Sequence, residues 1–177
     1  MKDHLREALT FIRAFARWIF IAALIGGTGG LVGAAFHVSV EKATELRLSH
    51  PELIYFLPLA GLLIAAVYRT ARIEGAGTDN IIDSIHSGKD VPPLLVPAIF
   101  AATVLTHLCG GSAGREGAAL QIGGGIGYRT GRLLQLGEKD LPLATLCGMS
   151  GVFSALFGTP LTATVFALEV ISVGVLY

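Results

Sequence analysis

The sequence predicts an all-α integral membrane protein whose helices are interrupted by glycine-rich breaks. Three observations carry that prediction. The chain is 53% hydrophobic and only 15% charged over 177 residues, with a mean hydropathy of +0.67, whereas a soluble domain carries about a quarter charged residues. Charge-free runs cover Trp18–Val40, Leu53–Tyr68, Val91–Gly114 and Leu141–Leu168, and a spanning helix needs about 20 mainly apolar residues. Short segments bounded by glycine lie between these runs, and broken helices persist in lipid only where they line a site or a cavity. Buried core helices of a soluble protein would need polar faces to cover them, and the sequence supplies too few.

Residues 1–17 read as a cytoplasmic amphipathic helix, with Phe11, Ile12, Phe15 and Trp18 opposite its arginines. Lys2, Arg6, Arg13 and Arg17 place the N-terminus in the cytoplasm. The apolar run behind them is too long for the h-region of a signal peptide. Residues 18–177 form the membrane domain. Its first span holds the pairs Gly26/Gly30 and Gly29/Gly33, a spacing that lets a second backbone approach closely. Residues 41–52 are polar and predict an outer loop. The second span ends at Arg69 and Arg72, which suits the cytoplasmic side.

From there the pattern breaks up. Gly75-Ala76-Gly77-Thr78-Asp79-Asn80 predicts a turn and a short helix to about Ser87, with Thr78 or Asp79 as N-cap. Pro92-Pro93 opens an apolar helix to about Cys109. Gly110-Gly111-Ser112-Ala113-Gly114-Arg115-Glu116-Gly117 then leads into another short helix, ending near Leu134. Along it Ala119, Gly123, Gly127 and Gly131 fall four residues apart, leaving one smooth face for a neighbouring helix.

Two of these breaks, near Gly77 and Gly117, present helix N-termini. Such an end carries unpaired N–H groups and about half a positive charge, so it attracts an anion without a lysine that would hold it too tightly. Conduction needs binding of that intermediate strength. Glu116 lies at the start of the second helix, and its carboxylate can occupy the place meant for a passing anion. Protonation would free that place, so Glu116 reads as a gate and proton carrier; the alternative is a capping carboxylate paired with Arg115. Ionisable residues inside a membrane are functional by default.

Other chemistries find little support. A net charge of zero leaves no basic field for nucleic acid. Cys109 and Cys147 fit no metal spacing and read as small packing residues. His37 and His107 lack a second ligand at helical spacing and read as core histidines. Gly110-x-Ser112-x-Gly114 satisfies the nucleophile-elbow pattern, but the run before it is helical and no histidine follows His107. Neither an enzyme nor a cofactor is expected.

Gly114-Arg115-Glu116-Gly117, followed by Gln121-Ile122-Gly123-Gly124, resembles the CLC family of chloride channels and anion/proton antiporters. Gly75-x-Gly77, Gly158-Thr159-Pro160-Leu161 and the helix carrying Phe166 and Glu169 also match that family's order, so the resemblance covers almost the whole chain. It implies a broken-helix half, one of two inverted repeats. It implies Glu116 as the gating glutamate, with Gly114, Arg115, Gly117, Ala118, Ala76, Gly77 and Thr78 around the anion. Chloride or fluoride, protons, the lipid bilayer and a homodimer in the complete form are the partners it implies.

The chain departs from the family pattern at four positions. Ala76 replaces the anion-coordinating serine, Asp79 and Ala118 replace prolines, and Val170 stands where antiporters carry an inner proton-relay glutamate. The loss of the serine and of the proline at Ala118 resembles the fluoride/proton antiporter branch. Only the first half of the family pattern is present, ending at Tyr177. On that basis the polypeptide alone is expected not to conduct and to need a second membrane half.

Overall fold

The structure is a computed structural model that describes residues 2–172. No strand occurs among the described residues. The elements are α1 (Lys2–Ser49), a 3-10 helix (Pro51–Phe56), α2 (Leu57–Thr70), α3 (Thr78–Ser87), α4 (Leu95–Leu108), α5 (Arg115–Leu133), α6 (Leu141–Phe157) and α7 (Pro160–Ser172).

Helix α1 runs unbroken for 48 residues, roughly 72 Å at 1.5 Å per residue. Residues 41–49, expected as a loop, are its last turns instead. Their charged residues alternate with the buried Val40 and Ala43, so the polar stretch is a solvated helix face rather than a break. Residues 2–17 are the first turns of the same helix. The charge-free run Leu141–Leu168 divides at the hairpin that the resemblance implies: Gly158, at φ +69°, ends α6, and its N–H reaches the Ser154 carbonyl at 2.8 Å. A left-handed turn of this kind suits glycine, and Pro160 then starts α7. Helix α4, at 14 residues, covers only about 21 Å and is too short to cross alone.

The two long apolar stretches, Leu9–Ser49 and Pro51–Thr70, are only 28% and 6% buried over their most apolar windows. The core helix of a soluble protein would be mostly covered. Here Phe20, Leu31, Leu62 and Leu161 point outward, which suits a hydrocarbon solvent.

At the centre lies α5. Its smooth face packs on α6 as the spacing predicts. A Cβ on Gly123 would strike the Gly148 carbonyl, one on Gly127 the Ala144 carbonyl, and one on Gly131 would come within 2.8 Å of Leu141. Two further glycines seat other helices: Gly124 takes Ile81 of α3, and Gly125 takes Val96 of α4. Helix α1 lies against the far side of α6, where Gly33 would place a Cβ 2.9 Å from Ala155. Of the expected pairs in α1, Gly29/Gly33 meets α6 closely, Gly26 abuts Gly151, and Gly30 has nothing within 4 Å.

A polar clasp fixes the segment between α3 and α4 to the C-terminal half of α5. The Tyr128 hydroxyl donates to Asp90, Arg129 donates to the Val91 carbonyl at 3.1 Å, and Arg132 lies 3.9 Å from Asp90. Tyr128→Phe should therefore lower stability by about 1 kcal/mol, the worth of one hydrogen bond to a charged group that solvent partly screens. Thermal unfolding in detergent would measure this, with a melting temperature identical to wild type as the contrary result.

Candidate functional site

Two helix N-termini lie beside one another, with Gly77, Thr78 and Gly117 half-buried and Gly114, Glu116 and Asp79 exposed. Helix α3 starts at Thr78, with Gly77 as its N-cap in an extended conformation. This corrects the expectation that Thr78 or Asp79 caps the helix. Asn80, three residues on, does the capping by accepting the Gly77 N–H on Oδ1 at 2.9 Å. Asp79 is therefore a first-turn acid, and its carboxylate is exposed rather than folded over the helix end.

Helix α5 starts at Arg115 with Gly114 as N-cap, and no side chain caps it. The N–H groups of Arg115, Glu116 and Gly117 are thus the unpaired donors of its first turn. Ala118, one residue on, sits where the N–H closes the first helical bond onto the N-cap carbonyl. Its side chain is 6% exposed and faces the core.

Helices α3 and α5 run parallel and in register. The Gln121 amide donates to the Thr78 hydroxyl at 3.1 Å. Three residues further along each helix, Ile81 meets Gly124. A Cβ on Gly117 would lie 3.8 Å from the Thr78 oxygen, so that hydroxyl sits against the first turn of α5. Since Thr78 opens α3 and its partner Gln121 is already in the second turn of α5, the two positive tips are staggered by roughly 9 Å. Both point the same way, and their dipoles add at this mouth.

Glu116 occupies the outer tip. Its Oε2 lies 3.3 Å from where a Gly114 Cβ would be, so the carboxylate folds back over the N-cap. The side chain is exposed. Among the described residues neither Arg115 nor Glu116 makes an ion pair, so the alternative of an Arg115–Glu116 pair is not realised. Ala76 is half-buried against the core and offers no hydroxyl. The residues singled out in the sequence therefore cluster at one place, with Glu116, Gly114, Arg115 and Gly117 on α5 and Ala76, Gly77 and Thr78 on the α3 side.

Gln121 was not singled out as a site residue, yet its side chain joins the two tips. The signal was available: a lone amide one helical turn beyond Gly117, on a face otherwise built of small residues. Glu169 is exposed on α7, and Val170 beside it packs against the core.

The other candidate chemistries fare poorly. Ser112 follows a helix, not a strand, and shares a cleft with His107 without a hydrogen bond between them. His107 Nδ1 lies 2.8 Å from the Thr103 carbonyl within its own helix. Contrary to the expectation that His37 has no second ligand at helical spacing, its Nε2 lies 3.8 Å from Glu41 four residues on, and its Nδ1 is buried without a partner. Both cysteines are free, Cys109 buried and Cys147 half-buried. No group of three or more metal-ligating side chains occurs among the described residues.

Comparison with known proteins gives a consistent result. Residues 56–176 match the family model described as voltage gated chloride channel. The chain is 36% identical over 170 residues to a chloride/fluoride channel protein of Pseudomonas syringae pv. tomato, covering 95% of this chain and 38% of that protein. It is 29% identical over 187 residues to the H(+)/Cl(-) exchange transporter ClcA of Vibrio vulnificus, covering 95% and 39%. The crystal structure of a CLC-type fluoride/proton antiporter superposes with a TM-score of 0.82 at 35% identity, covering 88% of this chain and 40% of that one. The chain thus spans about two fifths of the length of the relatives it matches. With the broken helices, the paired N-termini and the match over most of its residues, the chain belongs to the CLC family of voltage gated chloride channels.

Proposed function

We propose that this chain forms one half of a CLC-type pathway that moves chloride or fluoride across a bilayer, coupled to protons, with Glu116 as the gate. The observation that carries this reading is the convergence of the parallel α3 and α5 tips beside the Glu116 carboxylate. Unpaired N–H groups at two staggered depths suit an anion that must bind and leave. The Glu116 carboxylate competes for the outer of the two positions, and protonation removes that competition. The similarity to a chloride/fluoride channel and to a fluoride/proton antiporter supports a halide cargo and proton coupling. The backbone N–H groups at the mouth, with Thr78 alongside, would make the anion contacts.

The protein is a multi-pass protein of the cell membrane with residues 1–17 on the cytoplasmic side, and the complete form is a homodimer. Liposomes containing the full-length protein, loaded with fluoride or chloride and recorded with a pH electrode, test this reading. Anion efflux accompanied by proton movement is expected. Efflux no faster than from empty vesicles would overturn it.

A second reading has its own support: this half does not transport by itself and needs a second membrane half. Leu161, Val165 and Leu168 leave α7 with an outward apolar face, and the relatives are more than twice as long. On that reading the 177-residue chain alone gives no efflux, and co-expression with the complementary half restores it.

A further inference from the structure

We infer that Gln121 is a positioning residue that turns the Thr78 hydroxyl into an anion donor, in place of the hydroxyl missing at Ala76. This inference rests on the transport reading above. The Thr78 oxygen accepts the Gln121 amide N–H at 3.1 Å. A hydroxyl that accepts in this way keeps its own proton to donate, and no acceptor for that proton occurs among the described residues. The oxygen sits at the opening of α3 and against the first turn of α5. The proton it can still give therefore lies at the α3 tip, beside Gly117 of the first turn of α5.

Three further features support the assignment. Ala76 brings no side-chain donor to this mouth, so Thr78 is the nearest hydroxyl on the α3 side. Donation from Gln121 polarises the hydroxyl and strengthens the bond it makes onward. The pair also crosses from one helix to the other, so it holds the two tips at a fixed spacing. The cargo class this geometry suits is a small inorganic anion that accepts a charge-assisted O–H bond.

The test is a mutant cycle in liposomes containing the full-length protein: wild type, Thr78→Val, Gln121→Met, the double variant and Thr78→Ser. Fluoride and chloride efflux are measured against anion concentration. Each single loss should raise the apparent KM for fluoride and for chloride by roughly tenfold, the worth of one charge-assisted hydrogen bond. The double variant should be no worse than either single one, because Gln121 acts through Thr78. Thr78→Ser should stay within about twofold of wild type.

Gln121→Met with an unchanged fluoride KM, or additive losses in the double variant, would overturn the inference. Monodisperse elution of each variant separates lost contacts from lost fold. If a variant elutes as aggregate, fluoride binding to the Thr78→Ser and wild-type proteins by calorimetry decides instead, with equal affinity expected and a tenfold gap contradicting it. Wild-type protein that moves no anion would sink the transport reading itself, a result distinct from a transporting protein indifferent to Gln121.

Discussion

Glu116→Ala protein in liposomes is expected to release anion while losing at least tenfold of its anion-driven proton movement. The carboxylate lies over the uncapped first turn of α5, where three N–H groups have no helical partner. Hydrogen bonds from such groups to a charged acceptor are worth about 1.5–3 kcal/mol. That corresponds to roughly tenfold or more in the occupancy of the site. On the proposed gating role, removing the carboxylate leaves the donors to the transported ion at every pH and takes away the Glu116 proton carrier. Glu116→Gln should behave in the same way, since it mimics the protonated form without releasing a proton. The measurement is simultaneous ion-selective and pH recording, and unchanged coupling in both variants would refute the gating role.

Gly127→Leu should destabilise the protein by about 4 kcal/mol or more, enough to abolish monodisperse elution in detergent. A Cβ there would strike the Ala144 carbonyl, which is backbone and has no rotamer to give. To admit a leucine, α5 and α6 must separate, and the contacts at Gly123, Gly131 and Gly148 loosen with them. Gly30→Ala makes the contrasting control. Nothing lies within 4 Å of its Cβ position in α1, and alanine favours a helix by up to about 1 kcal/mol. A Gly127→Leu protein that melts within a few degrees of wild type would show that the two helices do not touch here.

The sequence made some features plain because a local rule decided them. Glu116 falls at a helix start because glycine precedes it and a helix-compatible run follows. The four-residue spacing through Gly131 fixes the α5–α6 seam, because a face without side chains lets a second helix approach closely. Other features depended on something the local pattern does not carry. The run Leu141–Leu168 is apolar throughout, so hydropathy alone could not show that Gly158 takes a left-handed turn and divides it. Residues 41–49 are polar, yet they stay helical because Val40 and Ala43 anchor one side of α1 in the core. Thr78 and Asp79 are both good caps in isolation, but Asn80 reaches back to Gly77 and moves the boundary by one residue. Gln121 stood out only as a lone amide among small residues; its partner Thr78 was not legible, since it lies on another helix and the pairing exists only once α3 packs beside α5.

The seam between α5 and α6 also limits what can move. At Gly123, Gly127 and Gly148 backbone rests on backbone, with no side chain between to act as lubricant, so sliding or tilting one helix would force the other to follow. The pair is a single strut. The mobile part at its tip is then the glutamate's own torsions, which turn over in picoseconds to nanoseconds when exposed. A turnover much slower than that would have its bottleneck in proton delivery or ion dehydration, not in a rearranging scaffold.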